Sequence, residues 1–452
     1  MTRDSTNAPT PHRLSATDAF FVAYQEASCV LMQLGGETDI EGDVSRDDLE
    51  TMIRSLVMRW PRLGQTLRKG FVGLKWFGDC RHEDMLKIGK AESSEPGRWH
   101  NTAIDPFREP PFQALWVPRI GGGTLALRAH HSVMDGESFF QVGIEALRFL
   151  ALCKGDKTDA DASSSPKADP KPARFFPRKE FTFKRIRSAS RYARWLGSEA
   201  RAQRSTRLAM DACSPGDTDS LVRTIDSHGF VQLRQLAAEA GVMPTAWCAA
   251  AWMRAIHLLN TAQGQAGNPL VSLEIPVSLR RAKNAGLDTV GNFISPLVVF
   301  SDATKPIGQI ALSIKQQLSS AMRSHAHLSM PLLSAPGKFL PWGLFRRVAV
   351  SPKTTGFATS HFTWFEPGTH LAAEVSQLSE GRLRIFNERI YTPVCLHMGA
   401  ALAVVAFPER VQFFLTYRQN ALLSHSAEAL MSFFMTELES REELQNFKTA
   451  TR

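Results

Sequence analysis

"RAHHSVMDGESFF", residues Arg128–Phe140, is the stretch on which the fold turns. Two histidines, His130 and His131, stand side by side, and Asp135 and Gly136 follow them. Upstream, "TLALRAH" (Thr124–His130) is short and alternating, which predicts a strand. Downstream, "SFFQVGIEALRFLAL" places apolar residues at Phe140, Ile144, Leu147 and Leu150, the spacing of a helix. The histidines therefore sit where a strand gives way to a helix, and ligands gather at strand ends in α/β folds. A neutral histidine there can take a proton from a hydroxyl or an amine. An aspartate four residues on can accept a hydrogen bond or pair with a distant cation. A glycine beside it lets the chain turn sharply and leaves room for a ligand. A lone histidine in such a place is more often a partly buried structural residue. The four fixed positions of H-H-x-x-x-D-G arise by chance in a chain of this length at a rate on the order of one in a thousand.

Outward from this motif, the first 155 residues predict one α/β unit. "VSRDDLETMIRSLVMRW" has Ser45 as a cap, acids at Asp47 and Asp48, and an apolar stripe at Leu49, Met52, Ile53, Leu56 and Trp60 before Pro61 ends it. Residues 156–215 then change character. "KGDKTDADASSSPKADPKPARFFP" has little to bury and several prolines, so it is expected to be a disordered linker. A basic stretch, "FKRIRSASRYARWLGSEARAQR", follows; as a helix it lines up Lys184, Arg187, Arg191, Arg194 and Arg201. From residue 216 to 452 a second α/β unit is expected. It has strands at "LVRTID", "PLVSLEIPVSLRR", "SPLVVF", "RLRIFNERIY" and "RVQFFLTY". Helices are expected at "GFVQLRQLAAEAG", at "TAWCAAAWMRAIHLLN" with Thr245 as a cap, through Ile307, Ile310, Ile314 and Leu318, and over 427–437.

The 452 residues suit two domains or one long α/β assembly, and 43% hydrophobic with 21% charged content is ordinary for a globular protein. Net charge is +9, and its location says more than its size. Lys171 to Arg207 holds twelve Lys/Arg against only Glu180 and Glu199. A solvated charged face is the ordinary meaning of such a run; peripheral contact of residues 171–207 with an anionic membrane is the next. Attraction to coenzyme A phosphates or an acidic carrier protein is the third. No nucleic-acid reader motif accompanies the charge. The start of the chain lacks an apolar core followed by a cleavage site, and "MGAALAVVAF" (Met398–Phe407) is far short of a spanning helix of ~20 residues. The expected setting is the cytoplasm, peripheral to the inner membrane at most. Six cysteines show no C-x-x-C spacing and no histidine at ligand spacing, so no metal site is expected.

"HHSVMDG" resembles the HHxxxDG motif of the chloramphenicol-acetyltransferase-like acyltransferase superfamily. "LSATDAFF" is similar to the LSxxDxxF opening of its wax ester synthase/diacylglycerol acyltransferase branch, and "EIPVSLRRAKNAGLDTVGNFISPL" to that branch's PVSxR…GN segment. Condensation domains are the next nearest group. The branch's Pro-Met-His-Val stretch and its late Asn-Val-Pro-Gly-Pro motif have no counterpart here. The resemblance implies an α/β fold of two chloramphenicol-acetyltransferase-like lobes, each a mixed sheet flanked by helices, with the active-site cleft or tunnel between them.

It implies further that His131 is the catalytic base, that His130 holds the loop, and that Asp135 is bridged to Arg280 beside Gly136. Gly291 and Asn292 fall on a turn lining the cleft. Ser360 or Thr363, in "TSHFTWF", is the candidate oxyanion donor, with His361 a second titratable group nearby. The reaction implied is acyl transfer from acyl-CoA or a phosphopantetheinyl carrier thioester to a hydroxyl or amine of a lipid-like or natural-product acceptor. No permanently bound cofactor is expected. A stand-alone condensation enzyme joining carrier-bound substrates is the alternative. A non-catalytic binding protein on the same fold is the third reading, against which the intact His131, Asp135, Gly136 and Arg280 weigh.

Overall fold

Alternating and helical patterns of the kind just described generate two sheets in the computed structural model, which describes residues 14–155, 182–334 and 339–440 apart from 71–72, 79–81, 91–94, 203–204, 266, 281–288 and 351–357. The first sheet contains β1 (Gln33–Glu41), β4 (Leu86–Ile88), β5 (Phe112–Arg119), β6 (Gly122–His130) and β11 (Arg384–Tyr391), in the order β11-β1-β6-β5-β4. The second contains β7 (Thr218–Asp226), β8 (Leu270–Ser278), β9 (Ile294–Asp302), β10 (Ser360–Phe365), β12 (Ala400–Ala406) and β13 (Arg410–Arg418), in the order β7-β13-β12-β10-β8-β9. The hairpin of β2 (Thr66–Lys69) and β3 (Leu74–Phe77) stands apart. Both sheets are mixed: β4 and β5 run parallel in the first, β10 runs parallel to β8 and β12 in the second, and the other pairings are antiparallel.

The helices follow from their apolar stripes. In Arg46–Arg59 the Ser45 side chain accepts from the Asp48 amide while the Asp48 carboxylate accepts from the Ser45 amide, a reciprocal cap. Its Leu49, Met52, Ile53 and Leu56 are wholly buried. The helix Gly136–Lys154 buries Ile144, Leu147 and Leu150 as its spacing predicts. Pro244–Ala262 starts two residues earlier than a cap at Thr245 would give, with Met243 as its N-cap. Pro244 occupies the first helical position, where its missing N–H costs nothing, so Thr245 lies inside the helix and is not its cap.

One element departs from the simple division at residue 216. β11, late in the chain, pairs antiparallel with β1 and completes the first sheet, Gly35 lying opposite Tyr391 and Glu41 opposite Arg384. The lobes also share a core, because Ala403, Val405 and Phe414 of the second sheet pack into the cluster built around Leu125, Leu127 and Val142. Arg148 reaches from the helix Gly136–Lys154 to Glu374 through two bonds of 2.8 and 3.0 Å.

The expected linker at 156–181 lies outside the described residues. The basic stretch forms the helix Phe183–Ala202. Lys184, Arg187, Arg191 and Arg194 are exposed on it as predicted; the side chain of Arg201 lies outside the described residues. Tyr192 and Trp195 hold this helix to β9: the Tyr192 hydroxyl accepts from the Val298 amide at 3.1 Å, and Trp195 meets Phe300 edge-on. No helix among the described residues is long and apolar enough to cross a membrane.

Candidate active site

β6 delivers the histidine pair. Its last residue is His130, and the five residues after it descend to the helix Gly136–Lys154, with Asp135 as N-cap accepting from the Ser138 amide at 2.8 Å. Strand alternation sends the two imidazoles opposite ways. His130 is fully buried, and its Nδ1 accepts from the Ser132 amide at 3.1 Å and lies 2.8 Å from the Ser132 hydroxyl. Its proton therefore resides on Nε2, and burial pushes its pKa down to about 3, so it is neutral.

The His131 ring is clamped on three sides. Its backbone N–H donates to the Met32 carbonyl at 2.8 Å. Its imidazole stacks on Phe21 with centroids 3.7 Å apart and planes 8° from parallel. Its Nδ1 lies 3.1 Å from Oδ1 of Asn292. The orientation of that amide is determined by its other end: the Asn292 Nδ2 donates to Oδ1 of Asp18 at 2.9 Å and to the His131 carbonyl at 2.7 Å. The His131 carbonyl can only accept, so Nδ2 must face it and Oδ1 must face the ring. Nδ1 accordingly carries the proton, and Nε2 keeps its lone pair. Burial holds His131 below the ordinary histidine value, which keeps the ring neutral near pH 7.

Asp135 and Arg280 bring the lobes together behind this ring. The guanidinium meets both carboxylate oxygens, at 3.1 and 3.0 Å, and its Nη1 also reaches Glu137 at 2.8 Å. Asp135 further accepts from the Phe293 amide at 2.7 Å, and its own amide donates to the Gly291 carbonyl at 3.1 Å. The Ser138 hydroxyl donates to that same carbonyl at 2.9 Å and accepts from the Gly291 amide at 3.1 Å. Burial, the largest influence, would raise the Asp135 pKa; the Arg280 charge and the hydrogen bonds from Arg280, Ser138 and Phe293 together outweigh it and hold the carboxyl below its usual range. The motif is thus wired to the segment between β8 and β9. Arg281, the other arginine there, lies outside the described residues.

Gly136 is needed for a reason different from the expected sharp turn. It opens the helix, and a Cβ placed on it would lie 2.7 Å from Cζ of Phe365 on β10. The room is taken by a ring of the second lobe. Gly136→Ala, which in an exposed helix would gain about 1 kcal/mol, should here cost about 1–3 kcal/mol through overpacking. A lowered thermal midpoint against the parent protein checks this; a raised one contradicts it.

Strand parity separates the two candidate hydroxyls. Ser360 is fully buried, donates to the Ala400 carbonyl at 2.7 Å and accepts from Trp252 Nε1 at 3.1 Å. Its hydroxyl is committed inside the second lobe, which corrects the expectation that it could serve as an oxyanion donor. Phe362 also faces that core, whereas Phe365 packs with the first lobe. His361 and Thr363 share the face of Phe365. His361 lies 3.5 Å from Glu274 and near enough to His131 for its charge to bear on that ring. Among the cysteines, burial raises the Cys248 thiol and pushes Cys395 up to about 12, which suits neither as a nucleophile.

Asp18 and Phe21 belong to this site, and sequence reasoning did not assign them. Both lie in "LSATDAFF", quoted above only as part of a resemblance. In the structure Ser15 caps the helix Ala16–Ser28, Asp18 returns the cap and orients Asn292, and Phe21 faces the imidazole. The spacing of Ser15, Asp18 and Phe21 on one helical turn and the next was the signal that could have found them.

No protein-family model and no curated protein matches the chain. Solved structures do. The TRI3 trichothecene 15-O-acetyltransferase from Fusarium sporotrichioides superposes with a TM-score of 0.73 at 9% identity, covering 95% of each chain. The condensation domain of the monacolin K polyketide synthase MokA gives 0.67 at 13% identity, over 96% of this chain and 98% of that one. A variant of the starter condensation domain of rhizomide synthetase RzmA, in complex with C8-CoA, gives 0.64 at 13%, over 95% and 94%. At such identities the likeness establishes the fold: two lobes, each a mixed sheet flanked by helices, arranged as in these proteins.

Proposed function

We propose that the protein is an acyltransferase that moves an acyl group from a thioester directly to a hydroxyl or amine of a small-molecule acceptor. In this reading residues 1–155 carry the base, with Phe21 stacked on it, and residues 216–452 supply Asn292, which fixes its tautomer. The observation that carries it is the fixed His131 tautomer, with Nδ1–H given to Asn292 and Nε2 left as a base. Nε2 takes the acceptor's proton while the acceptor oxygen bonds to the thioester carbonyl carbon. The tetrahedral oxyanion then re-forms its carbonyl, the carbon–sulfur bond breaks, and the leaving thiolate receives the proton from Nε2. The base acts on the acceptor itself, so no acyl-enzyme is required. The Thr363 hydroxyl, on the strand face shared with His361, is the candidate donor to the oxyanion, in the manner of other preorganised donors.

Acyl-CoA is the favoured donor and a lipid-like or natural-product alcohol the favoured acceptor. The LSxxDxxF and PVSxR…GN resemblances support the wax ester synthase branch. The second reading, condensation of carrier-bound substrates, is favoured by the likeness to two condensation domains. Thiol release separates them. With acyl-CoA and a panel of alcohols, free thiol should appear only when an acceptor is present. Release from an acyl-carrier protein and none from acyl-CoA would favour condensation, and no release from either would remove acyl transfer.

A further inference from the structure

Half of the exposed large apolar residues among those described fall in two neighbouring segments, on the helix Phe183–Ala202 and between Met322 and Val348. The short helix Trp342–Ala349 shows why. It buries Phe345 and Ala349 against the first lobe and is pinned by Trp342, whose indole donates to Glu26 at 2.9 Å. Leu340, Leu344 and Val348, four residues apart, make a stripe on its outer side, where Leu344 is 48% exposed and the preceding Phe339 65%. Arg346 and Arg347 flank that stripe, with Arg346 also 3.3 Å from Glu26. On the basic helix Phe183 stands 80% exposed beside Lys184 and Arg187.

Charge is as one-sided as exposure. From Ala303 to Phe365 the chain has seven Lys/Arg and no Asp or Glu, and from Phe181 to Ser198 it has no acid either. The two segments adjoin: the basic helix packs on the turn and helix of 326–334, the Ser188 hydroxyl donates to the Ser324 carbonyl, and both 329–334 and 342–349 pack on the helix Ala16–Ser28. That last helix carries Phe21, the residue stacked on His131.

We propose that this face docks on an anionic lipid surface, with the Leu340–Leu344–Val348 stripe entering the headgroup boundary and the arginines and Lys184 at the phosphates. Apolar side chains that stand outward among cations match the two terms that hold interfacial helices, apolar burial and attraction to anionic lipid. An acidic protein would be drawn by the same cations, but the outward apolar stripe between them is what a headgroup boundary buries. Docking would set the helix that walls the His131 ring next to the bilayer, a position suited to an apolar acceptor. The inference stands apart from acyl transfer, because vesicle binding requires no turnover.

The test is co-sedimentation of the full chain with phosphatidylcholine vesicles, with and without phosphatidylglycerol. Binding is expected with phosphatidylglycerol present, falling at high salt as surface charges are screened. Leu344→Asp with Arg347→Glu should reduce the bound fraction at least about tenfold with unchanged circular dichroism. Lys184→Glu with Arg187→Glu, on the separate helix, should weaken it in the same direction. Equal binding to both vesicle types, no binding to either, or undiminished binding by both variants overturns the proposal. So does capture by an acidic carrier protein without vesicle binding, which would assign the face to a protein.

Discussion

His131→Ala yields a folded protein whose turnover is lower by about 10²–10⁴-fold, the range that a positioned general base contributes. The loss falls on the rate constant for acyl transfer and leaves thioester binding largely intact, because the ring is positioned by Asn292 and Phe21 and makes no ion pair. His131→Gln keeps a polar group beside Asn292 while removing the base, so it should be as slow as the alanine variant. The sign of the pH dependence follows from burial. His131 is held below its ordinary value of 6.5, so the free base predominates at neutral pH. The kcat/KM should be flat around pH 7 and fall about tenfold per pH unit on the acid side, with its midpoint below 6.5. A single-turnover measurement with acyl-CoA across that range reads both. Near-parental turnover in the alanine variant, or an acid limb unchanged between parent and variant, would falsify the base assignment.

Asp135→Ala should damage stability and activity together. The substitution removes the N-cap of Gly136–Lys154, worth about 1 kcal/mol. It also leaves the Phe293 amide without its acceptor and takes from Arg280 the carboxylate it grips through both nitrogens. Arg280 is 3% exposed and keeps only Glu137 as a charged partner in its surroundings described above. Breaking a buried pair in this way typically costs 3–5 kcal/mol, since the remaining charge is stranded. A large fall in thermal midpoint, with activity lost in proportion to the fraction folded, is the expected outcome. Asp135→Asn, which retains a cap and one acceptor, should fall between the two. A midpoint within a degree of the parent would mean that the bridge carries no such load.

Local chemistry was legible in the sequence, and long-range partnership was legible only where a resemblance pointed to it. Ser45 and Asp48 announce their cap because the two residues that bond are three apart. The strand "RLRIFNERIY" is equally plain as a strand, yet nothing in its alternation says that it pairs with β1. Pairing partner and register depend on which apolar face meets which core. Ser360 and Thr363 look alike as hydroxyls in a strand; parity with the core-facing Phe362 commits one to that core and puts the other, also buried, on the opposite face. Asp18 and Phe21 lie over a hundred residues from His131; Phe21 meets its ring and Asp18 reaches it through Asn292 only once the helix Ala16–Ser28 is in place. Gly136 was recognised as necessary, but the neighbour that makes it so, Phe365, is invisible until the two lobes are assembled.

The place of β11 has a consequence for biosynthesis. β1 and β6 are complete once His130 has been made, while the strand that covers the other side of β1 arrives about 250 residues of chain later. At ribosomal rates of ~5–20 residues per second this interval is roughly 12–50 s. Throughout it the nascent first lobe presents an open edge, with unpaired amides and carbonyls along Gly35–Glu41. Such an edge is a template for pairing with other chains, and the exposure ends only when the far end of the same chain returns to close the sheet.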